Sequence, residues 1–376
     1  MSIWRGLVYA LIVAGTAHAT STWPLQLEMR VPLEPTAFSS GGRNHLAYEL
    51  VVTNFSGNPL TLRRIEVLDG DRSTATPILV LESGQLDDIL QPVGDQKTPG
   101  GSDVPRQLAS GSTSVVFVWI ALDRGTPIPK HLRHRVLTDE SSVEGAVIGT
   151  HHTAMLALAP PLRGATWLAS DGPNNDRDNH HRRGFLIFDG HFMVSRRFAI
   201  DWMKIDNGAI FSGDEKDKHA YPAYGQPVFA VANGTVVTAR DGLPDNVPGH
   251  NEEFHPAVPI TPDTLLGNTI VLDLGGEQFA YYAHLKPDSL RVKKGDQVKR
   301  GQLLANIGVS GDARAPHLHF QVSTSSNPLA GDGVPYLIDQ FRIRSTDPTW
   351  QVRALELPLG GSLIAFAETQ LHSPSK

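Results

Sequence analysis

Thirty-five glycines and 27 prolines are distributed along a chain of 376 residues, a density that interrupts long helices and favours short strands joined by turns. The apolar stretches agree. Residues 46–53 (LAYELVVT) alternate in part, 60–68 and 76–81 are further strand candidates, and 112–122 (STSVVFVWIAL) is a β-branched run suited to a strand buried on both faces. Turn-rich pieces such as NFSGNP at 54–59 separate them at the interval expected of an immunoglobulin-like sandwich. Ala159-Pro160-Pro161 then marks a boundary, because consecutive prolines cannot continue a regular element. Beyond it the chain is again strand-rich, with candidates at 184–188, 197–202, 227–239, 268–274, 278–285, 302–307 and 317–322. The Pro-rich stretch 241–266 is too long for a tight turn and reads as a lid or binding loop. The predicted fold class is all-β, in two domains, 20–158 and 159–345, followed by a C-terminal strand and tail, 346–376.

Composition narrows the chemistry. The chain has no cysteine, which excludes a disulfide scaffold, a thiol nucleophile and a thiolate zinc site. Any metal must be held by carboxylates and by some of the 16 histidines. A formal charge of -6 argues against nucleic acid as a partner. The first nineteen residues form an address: Arg5, an apolar run over 6–16, and the small-x-small site Ala17-His18-Ala19 predict a signal peptide cut before Thr20. That run is shorter than the roughly 20 residues a bilayer span needs, although an uncleaved anchor helix is the alternative reading. The expected location is periplasmic or extracellular, in a bacterium, with no stable membrane anchor after cleavage.

His317-Leu318-His319-Phe320 is the sharpest local signal. On a strand the period of two places both imidazoles on one face and Leu318 and Phe320 on the other. Two neighbouring imidazoles over an apolar backing suit a zinc ion and a proton-transfer group. His284 ends the candidate strand YYAHL, and GVSGDARAP at 308–316 leads into the HxH pair.

His284, the segment VKKGDQVKRGQ and the segment SGDARAPHLHF together resemble the lysostaphin-type (β-lytic) zinc endopeptidases, which cleave peptide cross-bridges of bacterial cell walls. PVFAVANGTVVTARDG at 227–242 is similar to that family's strand–turn–strand, and RFAIDW resembles its first metal motif. The resemblance covers roughly residues 160–345 and implies an antiparallel β-sandwich with an open active-site groove. It implies zinc as cofactor, Asp201 and His319 as metal ligands, and His284 and His317 as the pair that orients the attacking water and stabilises the transition state. Peptidoglycan peptides would be the substrate.

One position departs. The family's first motif has a histidine four residues before the aspartate, and here that residue is Arg197, whose guanidinium has no lone pair to give. Three outcomes stay open. His181, in Asn179-His180-His181-Arg182, would supply the third ligand; the motif would be locally displaced, with His191 in play; or no zinc would bind, with an Arg197–Asp201 ion pair in its place. Gln321 also stands where the family has glutamate after HLHF. The function expected is a secreted peptidoglycan metalloendopeptidase. The alternative is a degenerate, metal-free homologue acting as a cell-wall-binding or hydrolase-activating module, and a third reading makes the N-terminal sandwich a docking module. HNEEFH at 250–255 is not an HExxH zinc helix, because histidines five apart do not share a helical face. VKKGDQVKRGQ is also similar to carrier-domain hairpins, but Lys293 and Lys294 lack the hairpin-tip setting of a modified lysine. Arg182, Arg183, Arg196 and Arg197 read as a solvated basic face or, more sharply, as holders of peptide carboxylates.

Overall fold

The computed structural model describes residues 23–72, 76–94, 106–139, 141–151, 153–249, 254–344 and 349–368. The expected signal peptide and residues 250–253 lie outside the described residues. Among the described residues the fold is all-β, and its sheets are antiparallel apart from one two-stranded pairing of Ala157–Leu158 with Leu337–Ile338.

In the N-terminal half one sheet centres on Arg43–Asn54 and Thr113–Asp123, flanked by Leu27–Arg30, Phe38–Ser40 and Leu90–Pro92. The other runs Ser142–Gly149, His131–Thr138, Leu60–Asp69, Pro77–Glu82, with Gln107–Leu108 at its side. Inward residues of both sheets, among them Leu50, Val116 and Phe117 from the first and Leu62, Ile65 and Val136 from the second, close on one core. The VVFVWI run is buried because this pairing covers it: Val115, Val116, Phe117 and Val118 are all inaccessible to solvent.

The second half is built on a ten-stranded sheet. Its strands are β1 (Trp167–Ser170), β2 (Ile200–Lys204), β3 (Gly234–Arg240), β4 (Asn268–Asp273), β5 (Phe279–Leu285), β6 (Gln297–Val298), β7 (Leu318–Ser323), β8 (Phe341–Arg344), β9 (Gln351–Arg353) and β10 (Leu363–Ala365). Their order across the sheet is β6-β3-β4-β5-β7-β2-β1-β10-β8-β9. Two expectations need correcting. The stretch 227–239 is two strands: Pro227–Phe229 pairs with Leu303–Asn306 in a small separate sheet, and the chain turns before β3. Gly234 permits that turn, since a Cβ there would lie 2.6 Å from the Asp273 carbonyl oxygen. The stretch 197–202 becomes a strand only at Ile200, because the Arg197 N–H donates to the Val194 carbonyl and Ala199 N–H to that of Arg196, closing turns instead.

The two halves interlock. Phe38 and Ala47 belong to the core of the second half, and Phe192 and Val194 to that of the first. Ser40 Oγ donates to the Leu357 carbonyl at 2.6 Å, and the Leu357 N–H donates back to Ser39. Among the described residues no helix is long and apolar enough to cross a membrane.

Candidate metal centre and active site

β7 lies between β2 and β5, and its register sets the site: His319 is opposite Asp201 on one side and Ala283 on the other. Leu318 and Phe320 enter the core and His317 and His319 take the opposite face, as strand alternation requires. Regular alternation along β5 would turn His284 into the core with Tyr282. It does not, because β5 advances three residues, Tyr282 to Leu285, while β4 advances two, Ile270 to Asn268. The extra residue is His284, held at φ 61°, so Tyr282 and Leu285 both reach the core and the imidazole swings to the site. Its Nδ1 donates to the Ser310 carbonyl at 2.8 Å. A carbonyl only accepts, so Nδ1 carries the hydrogen and Nε2 keeps its lone pair. His317 Nδ1 likewise donates to the Ala315 carbonyl at 2.7 Å.

A further imidazole arrives from far along the chain. Asn179 caps the short helix His180–Arg183 by accepting the N–H groups of His181 and Arg182. Its amide nitrogen in turn donates to the Asp171 and Gly172 carbonyls. Pinned in this way, His181 is 1% exposed, and its Nδ1 donates to the Asp171 carbonyl at 2.8 Å. Its Nε2 lone pair points at Asp201, 3.5 Å from Oδ1, and has no hydrogen-bond partner. His180 lies beside it, with Nε2 3.6 Å from Asp201 Oδ2 and Nδ1 3.3 Å from Asp171 Oδ1. One ligand atom from each of His180, His181 and Asp201 falls within 4.8 Å of the others.

His319 completes the cluster. Its Nε2 is 2.8 Å from Gln321 Oε1 and its Nδ1 is 2.8 Å from Asp201 Oδ1. With Gln321 Oε1 taking the Nε2 hydrogen, Nδ1 of a neutral ring presents a lone pair to a carboxylate oxygen. Two facing acceptors, together with an orphaned buried Nε2 on His181, form a donor set that a divalent cation satisfies. Zinc fits it in ligand type: imidazole nitrogen and carboxylate oxygen, with no thiolate.

Charges are poised around the same carboxylate. Burial alone would raise Asp201, but His181 and His317 beside it hold it well below the usual carboxylate range. Burial lowers His181 to about 4, with Asp201 opposing. His284 is pushed well down, first by burial and then by the charges of His317 and His319. For His317 the pull of Asp201 and the Ala315 carbonyl overcomes burial, and its affinity for a proton rises.

Arg197 does not face Asp201, which corrects the expectation of an ion pair there. It sits in the turn before β2 and points the other way. Its Nε donates to Glu49 Oε1 at 2.8 Å, Nη1 to the Asn174 carbonyl at 2.9 Å and Nη2 to Asn175 Oδ1 at 3.0 Å. Both side chains of the Arg197–Glu49 pair are buried. Arg182 also leaves the cluster: its Nη1 and Nη2 donate to the Asp88 carbonyl, and its guanidinium lies over Phe117. His191 is exposed on the hairpin of Leu186–Phe188 and His191–Met193.

The cluster lies in a cleft of about 540 Å³. His180, Asp171, Arg196 and Arg314 line it with His284, His317 and His319, and Leu265 and Leu266 at the end of the long 241–266 stretch form part of its wall. His180 and Asp171 belong to none of the sequence motifs that point to this site. The one available signal was an asparagine directly before two histidines, a helix cap that fixes where they point.

The model of peptidase family M23 matches residues 219–330, a span that includes His284, His317 and His319 but neither Asp201 nor His181. Lipoprotein NlpD of Yersinia enterocolitica is 31% identical over 108 residues, 28% of this chain and 88% of NlpD. The chain belongs to peptidase family M23. Among its relatives, peptidoglycan DD-endopeptidase ShyB of Vibrio cholerae is 32% identical over 105 residues, 28% of this chain and 19% of ShyB. Glycyl-glycine endopeptidase ALE-1 of Staphylococcus capitis is 35% identical over 115 residues, 30% of this chain and 26% of ALE-1. The chain thus spans about a fifth of the length of ShyB and about a quarter of that of ALE-1. The M23 portion supplies His284, His317 and His319, whereas Asp201, His180 and His181 come from the segment that precedes it.

Proposed function

We propose that this M23 chain is a peptidoglycan endopeptidase, secreted to the periplasm or cell exterior, that hydrolyses cross-link peptides with zinc held by His181, Asp201 and His319. The observation that carries the reading is the buried, unpartnered Nε2 of His181, aimed at the carboxylate that His319 also faces. Bound there, zinc would supply Lewis acidity toward water and an amide carbonyl at neutral pH. His284 acts as proton acceptor through Nε2, since the Ser310 carbonyl fixes the hydrogen on Nδ1. His317 donates from Nδ1 to Ala315, and Asp201 favours its protonated form; as the imidazolium it presents Nε2–H as a donor toward the developing oxyanion or the leaving amine. Gln321 fixes the tautomer of His319, and Asp171 fixes that of His181 through its carbonyl.

Two cores, one centred in each half, support dividing the chain near 158/159, with residues 363–365 of the C-terminal segment returning to the main sheet as β10. The metal-free reading remains as a binding or hydrolase-activating module. Metal analysis of the purified protein separates the two: stoichiometric zinc, lost in His319→Ala, supports the peptidase, and a metal-free chain that still binds peptidoglycan supports the module. Release of new amino termini from purified peptidoglycan, abolished by His284→Ala with zinc retained, tests the hydrolytic step.

A further inference from the structure

Arg196 and Arg197 are adjacent and diverge. Arg197 places its guanidinium on Glu49, Asn174 and Asn175, whereas Arg196 lines the cleft that holds the histidine cluster. The Arg196 side chain is embedded in the cleft wall. Its Nη2 packs closely over Gly184: a Cβ at that position would lie 2.5 Å away, and the guanidinium would have to shift from this seat. Among the described residues the Arg196 guanidinium has no hydrogen-bond acceptor and no carboxylate within 4 Å. Its nearest influences are the longer-range charges of Asp201 and Asp312.

The acids nearby are otherwise engaged. Asp201 faces the imidazoles, and Asp171 has His180 against it. Asp312 is exposed at the cleft mouth, where Arg314 stands two residues away with its guanidinium 5.5 Å from the Phe254 ring. A guanidinium stays charged and carries five donors in a planar fork that matches a carboxylate. An embedded one without an acceptor lacks a partner that a ligand in the cleft would bring.

We propose that Arg196 is a substrate-binding residue that takes a carboxylate of the peptide occupying the cleft. The inference rests on the cleft being a peptide site and names what that peptide must carry: an anionic carboxylate, at its C-terminus or on an internal residue. Gly184 keeps the seat open and Arg196 reads the charge. The neutral amides of a peptide backbone would leave the fork half-used.

The test uses the full chain as purified and three tetra-alanine-based peptides, with binding measured by calorimetry under conditions in which hydrolysis is blocked by His284→Ala. One peptide has a free C-terminal carboxylate, one is C-terminally amidated, and one is amidated with an internal glutamate. A carboxylate-bearing peptide should bind about 10-fold or more tighter than the neutral amide, the scale of a charge-assisted fork. Preference for the free acid alone assigns a terminal carboxylate; preference for the glutamate peptide assigns an internal one. Arg196→Gln should abolish the preference and Arg196→Lys should retain part of it. Equal or undetectable binding of all three peptides, or a preference that survives Arg196→Gln, overturns the inference. Because the readout is binding, a chain that hydrolyses peptidoglycan without this preference refutes the inference alone. A chain with the preference but no zinc refutes the peptidase reading alone.

Discussion

Arg197, at the position where the resemblance leads one to expect a histidine, makes every donor interaction away from Asp201. Two of them brace Asn174 and Asn175, the start of the segment that carries His180 and His181. Arg197 therefore supports the presentation of the His181 imidazole proposed as a metal ligand. Replacing His181 with Ala should weaken zinc by about 100-fold or more, beyond what loss of a supporting hydrogen bond does, as read by competition with a chromogenic chelator. The same change at His191 should leave affinity unaltered.

A second residue-level prediction concerns stability. His134 donates from Nδ1 to the Ala146 carbonyl and accepts the Tyr48 hydroxyl at Nε2. Burial, opposed by the Ala146 hydrogen bond, lowers it to about 4 from an ordinary 6.5. The unfolded chain binds the proton first, so the stability that the neutral ring contributes is complete above pH 6.5 and is lost as pH falls toward 4. The ceiling is about 3 kcal/mol, and urea unfolding near pH 7 and near pH 5 should show a smaller difference in His134→Gln than in the wild type.

At the level of elements, the bulge in β5 and the cap on His180–Arg183 do most of the positioning. Asn179→Ala removes the cap at a cost of about 1 kcal/mol and frees the carbonyls its amide holds. It should lower stability in urea and weaken zinc by about 10-fold, as expected when a support of a ligand is lost. Much of this level was legible in the sequence. The HxH alternation, His284, Asp201 and His181 were readable because strand period and motif spacing are local properties. The direction of Arg197 was not, because its partner Glu49 is 148 residues away and only the docking of two sheets brings them together. Nor was the bulge, since YYAHL reads as an ordinary strand end and the extra residue is defined only against β4. The single strand drawn through 227–239 failed for a similar reason: β propensity runs through a turn that the Gly234 contact with Asp273 makes possible.

Over the whole molecule, the N-terminal half is joined to the segment that carries the histidine cluster rather than appended to it. Glu49 holds Arg197, the Asp88 carbonyl holds Arg182, and the Phe117 carbonyl accepts from Asn175. Burial raises Glu49 and Arg197 opposes it, so the pair is a desolvated one whose halves depend on each other. Glu49→Ala, which strands the buried guanidinium, should cost roughly 3–5 kcal/mol in urea unfolding. With each core taking residues from the other half, calorimetry should record one unfolding transition, and two well-separated transitions would mean that the halves fold independently.

The hydrolytic chemistry proposed for the cleft depends most on a metal held by His181, Asp201 and His319. Zinc content of the purified full chain tests this directly. About one zinc per chain, falling to near none in His181→Ala while the variant stays folded, is the predicted result. A folded wild-type chain that remains metal-free in excess zinc, or a His181→Ala chain that binds zinc as tightly as the wild type, would contradict it.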